Sequence, residues 1–222
     1  MGFLDRFRRR TAWTAFANDR RWDTPADPWS FLHVAPTRPD RWNVCSLLWG
    51  LGRIQAGDWD KPTETTKLTE TAMVEGLRQR FEDGHPWTET AYYEHARERL
   101  DDGNSYAGVD SVEKLTEERF PAIDSLYASI QHDGYRPNRG TVYDNHTEVE
   151  RIHELEPMVI IGREGEIIWT EGFHRLVLAA IADVDTIPVY VLQRHTAWQQ
   201  IRERAADGEA TRYDDHPDIR AL

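Results

Sequence analysis

The sequence predicts an α+β fold in which helices come first along the chain and strands come later. Between residues 67 and 133, apolar side chains recur at helical spacing. From residue 158 onward, short runs of β-branched and other apolar residues replace that pattern. The chain has 222 residues, of which 39% are hydrophobic and 11% aromatic. That content is enough for a packed core and excludes a wholly disordered chain.

The first ten residues predict a short basic helix. An apolar strip made of Phe3, Leu4 and Phe7 lies at helical spacing beside four arginines. Such a helix either rests on an anionic membrane surface or packs on its own domain. One alternative is therefore peripheral membrane contact through residues 1–10.

Residues 11–50 contain five tryptophans and four prolines, which predicts irregular structure with short elements pinned by buried indoles. Residues 51–60 indicate a short strand or turn that ends in an acidic loop. Helices follow over 67–83, 88–100 and 111–133, the last with a break at Pro121.

A polar loop over 135–147 leads into the strands. The later elements follow in this order: strands at 158–161 and 167–170 that form a hairpin, a helix at 173–182, a buried strand at 186–192, a helix at 196–206 and a loose acidic tail.

The charges indicate a salt-rich cytoplasm. The net charge is −12, and 24 arginines stand against 3 lysines. Excess carboxylates keep such a surface hydrated. The charge argues against nucleic-acid binding, although molar salt screens charges within about 3 Å.

The single cysteine excludes an internal disulfide, and neither a transmembrane stretch nor a signal pattern is present, so we expect a cytoplasmic protein.

A glycine stands where a strand is predicted to turn into a helix. Gly172 is followed by His174 and Arg175 in the first helical turn, where unpaired N–H groups and a partial positive charge favour anions. Arginine adds a bidentate fork for phosphate or carboxylate. The alternative is that Gly172 serves only the turn and that Arg175 pairs with a nearby carboxylate.

An ordered set of motifs around this turn resembles the ParB/sulfiredoxin superfamily. The matching segments are Leu126-Tyr-Ala-Ser-Ile-Gln-His-Asp-Gly-Tyr135, Ile161-Gly-Arg-Glu-Gly-Glu-Ile-Ile168, Glu171-Gly-Phe-His-Arg-Leu176 and Ile187-Pro-Val189. The resemblance covers about residues 120–195 and extends to ParB-like proteins of salt-loving archaea. It implies a core of a small mixed sheet with helices.

The resemblance also implies chemistry. Members bind nucleotide phosphates at this helix start, and they include CTP-hydrolysing partition clamps, a free-serine kinase and sulfiredoxin. From their positions in the matching motif, Gly172, His174 and Arg175 would contact the phosphates. Phe173 stands where sulfiredoxin has its thiol, which excludes sulfinate reduction by that route. Only about 30 residues follow the core, and this segment is acidic, so the clamps' downstream DNA-binding domain is not expected.

The domain division that follows places a helical, Trp-rich N-terminal region at 1–110, the ParB/sulfiredoxin-like core at 111–206 and the acidic tail at 207–222.

Acidic residues are candidates for the Mg²⁺ ligands and for the general base. Asp58 and Asp60 flank Trp59, and in an extended segment both carboxylates point to one side. They would hold Mg²⁺ beside a triphosphate, or Asp58 would act as general base; the alternative is a solvated acidic turn. Glu171 is a second candidate base.

Arg194 and His195 follow the third predicted strand, whose end can face the Gly172 turn. We expect them to contact the same ligand, the alternative being a plain helix start.

These observations favour a nucleotide-binding protein, either a phosphotransferase or a nucleoside triphosphatase, with Mg²⁺ and a nucleoside triphosphate at Gly172–Arg175. The first alternative is a non-catalytic adaptor of a membrane-surface or glycan-assembly complex. The second is a ParB-like DNA-associated protein.

Overall fold

A computed structural model describes residues 2–222, which divide into two units that interleave along the chain. Residues 2–66, 137–172 and 186–222 form one unit, here called the sheet unit. Residues 67–136 and 173–185 form the other, here called the helical unit. The domain boundaries predicted from the sequence follow chain order and stay a prediction.

Within residues 2–222, seven strands form one mixed sheet in the order β1-β7-β5-β6-β2-β4, with β3 also paired to β7. The strands are β1 (Leu32–Val34), β2 (Arg41–Trp42), β3 (Arg53–Gln55), β4 (Thr66–Lys67), β5 (Met158–Ile161), β6 (Ile167–Glu171) and β7 (Ile187–His195). The mixed sheet with flanking helices is the coarse fold that the sequence predicts. The ParB-like assignment of the core stays a prediction.

The predicted hairpin is confirmed as the antiparallel pair β5–β6. Gly165, at φ +80°, allows its tight turn, in which the Gly162 N–H donates to the carbonyl of Glu166. The predicted third strand is confirmed as β7 but extends to His195, three residues further. Its last three residues pair in parallel with β3, so the sheet prolongs the strand beyond its apolar run.

Helix α1 (Phe3–Asp19) is longer than the basic helix predicted from the first ten residues. Its inner face is fixed to the sheet unit: Phe7 is buried in the core cluster, and the Asn18 amide donates to the Gly52 carbonyl at 2.8 Å. Of the two alternatives for this helix, Phe7 therefore follows the second, packing on its own domain, and membrane contact through residues 1–10 stays a prediction. Apolar packing against its own sheet covers that side of α1.

Helices α7 (Thr196–Ala206) and α8 (Pro217–Arg220) complete the sheet unit. The expectation of a loose tail is wrong around α8, because His216 and Asp218 are buried. The Asp218 carboxylate accepts hydrogen bonds from Arg194 and from the indole of Trp198. A buried ion pair anchors this end of the chain.

The helical unit contains α2 (Ala72–Phe81), α3 (Ala91–Asp101), α4 (Val112–Lys114), α5 (Phe120–Asp133) and α6 (Phe173–Ile181). Helix α2 packs closely on α3 at Gly76, where a Cβ atom would collide with the backbone and Cβ of Tyr92. Tyr92 is fully buried and packs edge-on against Phe120 of α5. Close helix contact at a glycine thus places the Tyr92 side chain.

A π-helical segment, Leu115–Arg119, joins α4 to α5. The Phe120 N–H donates to the carbonyl of Leu115, five residues back. Pro121 lacks an N–H and its ring clashes with the preceding turn, so the helix widens just before it. The predicted break at Pro121 is therefore present as a widened turn, which ends at Arg119.

Among the described residues, no helix combines the length and the apolar character needed to cross a bilayer.

Candidate functional site

The turn before α6 has the geometry that the sequence predicts. Gly172 has φ +87°, a conformation that side-chain-bearing residues rarely adopt. A Cβ atom there would lie 2.8 Å from Cβ of Pro157. Gly172 therefore has a structural reason to be glycine within the sheet unit, independent of any ligand.

His174, in the first turn of α6, is held by two partners inside the helical unit. Its Nε2 lies 3.0 Å from the Tyr92 hydroxyl, and its Nδ1 lies 3.2 Å from an Nη of Arg119. These residues are 82 and 55 positions away in the sequence. Packing of α3, α5 and α6 thus assembles three polar groups at one point.

The hydrogen-bond chemistry assigns the protons of this cluster. A guanidinium only donates, so His174 Nδ1 accepts from Arg119. The neutral ring then carries its hydrogen on Nε2 and donates it to the Tyr92 oxygen. Among residues 2–222, the buried Nε of Arg119 has no hydrogen-bond partner. The cluster has more donors than acceptors.

The pKa values agree with this assignment. Burial, aided by the Arg119 charge, lowers the pKa of His174 to about 3, so the imidazole is neutral at physiological pH. Burial also raises the pKa of Tyr92 well above its usual range, which keeps the hydroxyl protonated. The charge of the cluster therefore comes from Arg119.

Arg119 is half-buried and has no ion pair within the described part of the chain. Buried or partly buried arginines are normally matched by a carboxylate, because desolvating a lone guanidinium is costly. The unmatched charge lies beside the α6 N-terminus, which itself favours negative charge. This corner of the helical unit has the electrostatic character of an anion site.

Arg175, the next residue of α6, contacts Tyr135. Its Nη1 lies 3.4 Å from the Tyr135 hydroxyl, and its guanidinium lies 5.8 Å from the centre of the Tyr135 ring. Arg175 at this helix start thus lies against an aromatic ring. The second arginine, Arg119 of the π-helical segment, contacts His174.

The two predicted acidic ligands have a different environment, in the sheet unit. The Asp60 side chain is buried, and both of its oxygens accept from Arg163, at 2.7 to 3.2 Å. Burial alone would raise the pKa of Asp60, but these hydrogen bonds outweigh it and lower the pKa. Asp58 is exposed and pairs with Lys61 and Arg163, which also lower its pKa.

His195 joins the acidic cluster through the carbonyl of Gly57. Its Nδ1 accepts from the N–H of Ala197, capping α7, so Nε2 carries the hydrogen and donates to Gly57 at 3.1 Å. The same carbonyl accepts from Arg163. The structure thus brings Asp58, Asp60 and His195 together, with every polar atom of His195 engaged in holding the fold.

Arg194, also in the sheet unit, pairs with a different carboxylate, that of Asp218. Its guanidinium forms a bidentate pair with Asp218 at 2.7 and 2.9 Å, and both side chains are buried. Together with Arg202 these groups line a pocket of about 700 Å³. The pair with Asp218 is a structural role, which the sequence analysis did not consider for Arg194.

Glu171, at the end of β6, is exposed as a residue, but neighbouring atoms partly desolvate its carboxyl group and raise the pKa of that carboxyl. A raised pKa makes a carboxylate a stronger base. Among residues 2–222, no three His, Cys, Asp or Glu side chains are placed to hold a metal ion together. The pairing of Asp60 with Arg163 means that Mg²⁺ at that carboxylate would have to displace an arginine.

Sequence reasoning missed Tyr92 and Arg119. Tyr92 lies within the predicted 88–100 helix, where helical periodicity gives no signal beyond packing. Arg119 stands two residues before Pro121, and the break predicted there is the one local signal that marks its position. Comparison of the chain with protein-family models, with curated proteins and with solved structures found no match.

Proposed function

We propose that this protein binds the phosphate group of a nucleotide at the start of α6, with Arg119 as the central cation. His174 orients Arg119 as a neutral acceptor, and the fully buried Tyr92 hydroxyl holds the other ring nitrogen of His174. Arg175 adds a second guanidinium from the same helical turn. The proposal deepens the sequence-based prediction by adding Arg119 to His174 and Arg175.

The observation that carries the proposal is the surplus of donors around His174. Three groups converge there, yet the buried Nε of Arg119 lacks an acceptor among the described residues. A buried donor without an acceptor costs about 1–3 kcal/mol. A phosphate supplies a negative charge for the guanidinium of Arg119.

Phosphoryl transfer or hydrolysis would additionally need a base near the bound nucleotide. Of the two predicted bases, Asp58 is held by Lys61 and Arg163 and has a lowered pKa. Glu171, two residues before α6 in the chain, has a raised pKa and stays the candidate base that the sequence predicts. Mg²⁺ would accompany the nucleotide phosphates. Turnover is tested as inorganic phosphate release, which Glu171→Gln should abolish while leaving nucleotide binding intact.

The binding step is tested by thermal shift in molar KCl with Mg²⁺ and ATP, ADP, CTP, GTP or pyrophosphate. A ligand at 100 times its Kd adds about 2.7 kcal/mol of stability, or about 5–10 °C in Tm at this chain length. Arg119→Gln should abolish this shift without lowering the Tm of the free protein, because it removes an unmatched half-buried charge. Exposed Arg97 on α3 provides the matched control, Arg97→Gln.

The phosphate site is overturned if neither nucleotides nor pyrophosphate shift the Tm of the wild type. It is also overturned if the shift survives in Arg119→Gln. A fall in the Tm of ligand-free Arg119→Gln would instead assign Arg119 a structural role.

The alternative of a non-catalytic adaptor is favoured by one separate observation, the exposed aromatic side chains Trp13 and Phe16 on α1.

A further inference from the structure

The outer face of α1 combines aromatic and arginine side chains. Trp13 is 63% exposed and Phe16 is 53% exposed, and their rings contact each other at 5.9 Å. Arginines lie three to four residues before and after them, on the same side of the helix. With neighbouring residues of the 47–53 segment they form the aromatic–arginine face: Arg6, Arg9, Arg10, Trp13, Phe16, Arg20, Leu48, Trp49 and Arg53.

Contacts within the sheet unit hold these side chains together. The guanidinium of Arg10 lies 5.5 Å from the ring centre of Trp49, and that of Arg53 lies 4.8 Å from it. Arg20 lies over Phe16 at 5.5 Å. Trp49 itself is 46% exposed. The two stretches of chain therefore present one continuous surface.

The inner side of α1 is rigidly attached, so the outer side is already formed in the free protein. The Thr11 hydroxyl accepts from the N–H of Leu51 at 3.0 Å, and Asn18 donates to the carbonyl of Gly52. Gly50 packs against α1 so closely that a Cβ atom would meet the Thr11 backbone. Binding of a partner would therefore require no free energy for folding this helix.

The charge of this face is opposite to that of the molecule. Residues 3–21 contain six arginines and two aspartates, whereas the whole chain has a net charge of −12. A positive surface on an acidic protein selects an anionic partner.

We propose that the aromatic–arginine face binds the surface of an anionic phospholipid membrane, with Trp13 and Phe16 inserted among the headgroups. Amphipathic helices that lie in the interface have this combination of Trp or Phe with arginine. The site shares arginines with the sequence-based prediction of contact through residues 1–10, but its apolar part is Trp13 and Phe16, since Phe7 lies in the core. It uses none of the residues proposed to bind phosphate.

A membrane suits this face better than a nucleic acid does. Nucleic-acid affinity rests on many phosphate contacts and falls steeply with salt. Insertion of aromatic side chains depends on apolar burial, which persists when charges are screened. In the molar salt that the composition indicates, Trp13 and Phe16 would therefore contribute more to binding than the arginines alone.

Vesicle flotation of the full chain tests the proposal. Vesicles of phosphatidylglycerol and phosphatidylcholine at 3:7 are compared with phosphatidylcholine alone, at low salt and in 2 M KCl. We expect binding to the anionic vesicles, reduced at least about tenfold by the double variant Trp13→Ser/Phe16→Ser. Arg6→Gln/Arg9→Gln should weaken binding at low salt and have less effect in 2 M KCl.

The matched control is Val142→Ser, since Val142 is an exposed apolar residue of the sheet unit outside this face. It should bind like the wild type. Because all the substituted side chains are exposed, each variant should keep the wild-type melting curve, which verifies folding.

Absence of binding to anionic vesicles at both salt concentrations overturns the proposal. Binding to single-stranded DNA that Arg6→Gln/Arg9→Gln abolishes, without vesicle binding, would reassign the face to nucleic acid. Concentration-dependent dimerisation abolished by Trp13→Ser/Phe16→Ser, again without vesicle binding, would reassign it to a second copy of the chain.

Discussion

His174 shows how one residue's role depends on its neighbours. The sequence places it beside Arg175 as a phosphate ligand, because both stand in the first turn of a helix. In the structure the imidazole is neutral, accepts from Arg119 and donates to Tyr92. In the proposed anion site its contribution is to orient the Arg119 guanidinium, which carries the positive charge.

The buried, neutral state of His174 predicts a pH dependence of stability. Folding lowers its pKa from 6.5 to about 3. Between these pH values the unfolded chain binds a proton at His174 that the folded chain does not. The free energy of unfolding therefore decreases as the pH falls below 6.5. The loss is up to about 1.4 kcal/mol per pH unit. Urea unfolding at pH 7.5 and pH 5 measures it.

In His174→Gln this titration is absent. The wild type should therefore lose up to about 2 kcal/mol more than the variant between the two pH values. Burial also lowers the pKa of His216, to about 4, but that group is present in both proteins and cancels in the comparison. Equal losses in the two proteins would show that His174 is not buried in its neutral form.

Helices α2 and α3 illustrate why element positions follow from the sequence while their contacts do not. The predicted helices at 67–83 and 88–100 are confirmed, with boundaries that differ by one to five residues. Periodicity identifies the apolar faces, but it does not show that Gly76 is the point where α2 meets the backbone of Tyr92. That close contact decides where the Tyr92 hydroxyl lies.

Gly76→Ala sets helix propensity against packing. Alanine is better than glycine in a helix interior by about 1 kcal/mol. In this structure the added methyl group collides with Tyr92, and overpacking of this kind costs about 1–3 kcal/mol. We expect net destabilisation in urea unfolding, together with a weaker thermal shift from the nucleotide.

Arg78→Ala serves as the control on the same helix, since Arg78 is exposed and its truncation should change stability by no more than about 0.5 kcal/mol. An increase in stability for Gly76→Ala would mean that α2 and α3 are further apart than described.

At the scale of the whole molecule, the net charge dominates how the stability of the folded chain depends on salt. A net charge of −12 on 222 residues makes the folded chain repel itself at low salt. Exposed ion pairs such as Asp58–Lys61 contribute little, and salt weakens them further. The buried pair of Arg194 and Asp218 is screened far less.

Stability should therefore rise with potassium chloride. The screening length falls from about 10 Å at 0.1 M to about 3 Å at 1 M, which removes most of the self-repulsion. We expect the urea midpoint to increase between 0.1 and 2 M KCl. Sucrose at matched osmolality, which does not screen charge, is the control and should have a smaller effect. A midpoint that falls with KCl would show that ion pairs outweigh repulsion.

The sequence alone determined the local elements: the hairpin at 158–170, the helices that begin at Phe173 and Thr196, and the break near Pro121. Each of these depends on periodicity, turn residues and proline chemistry within a few positions. The tertiary structure decided which distant groups meet, namely His174 with Arg119, and Arg194 with Asp218. Such pairs depend on how helices and strands pack, and that packing energy is shared by many side chains, so no local pattern encodes it.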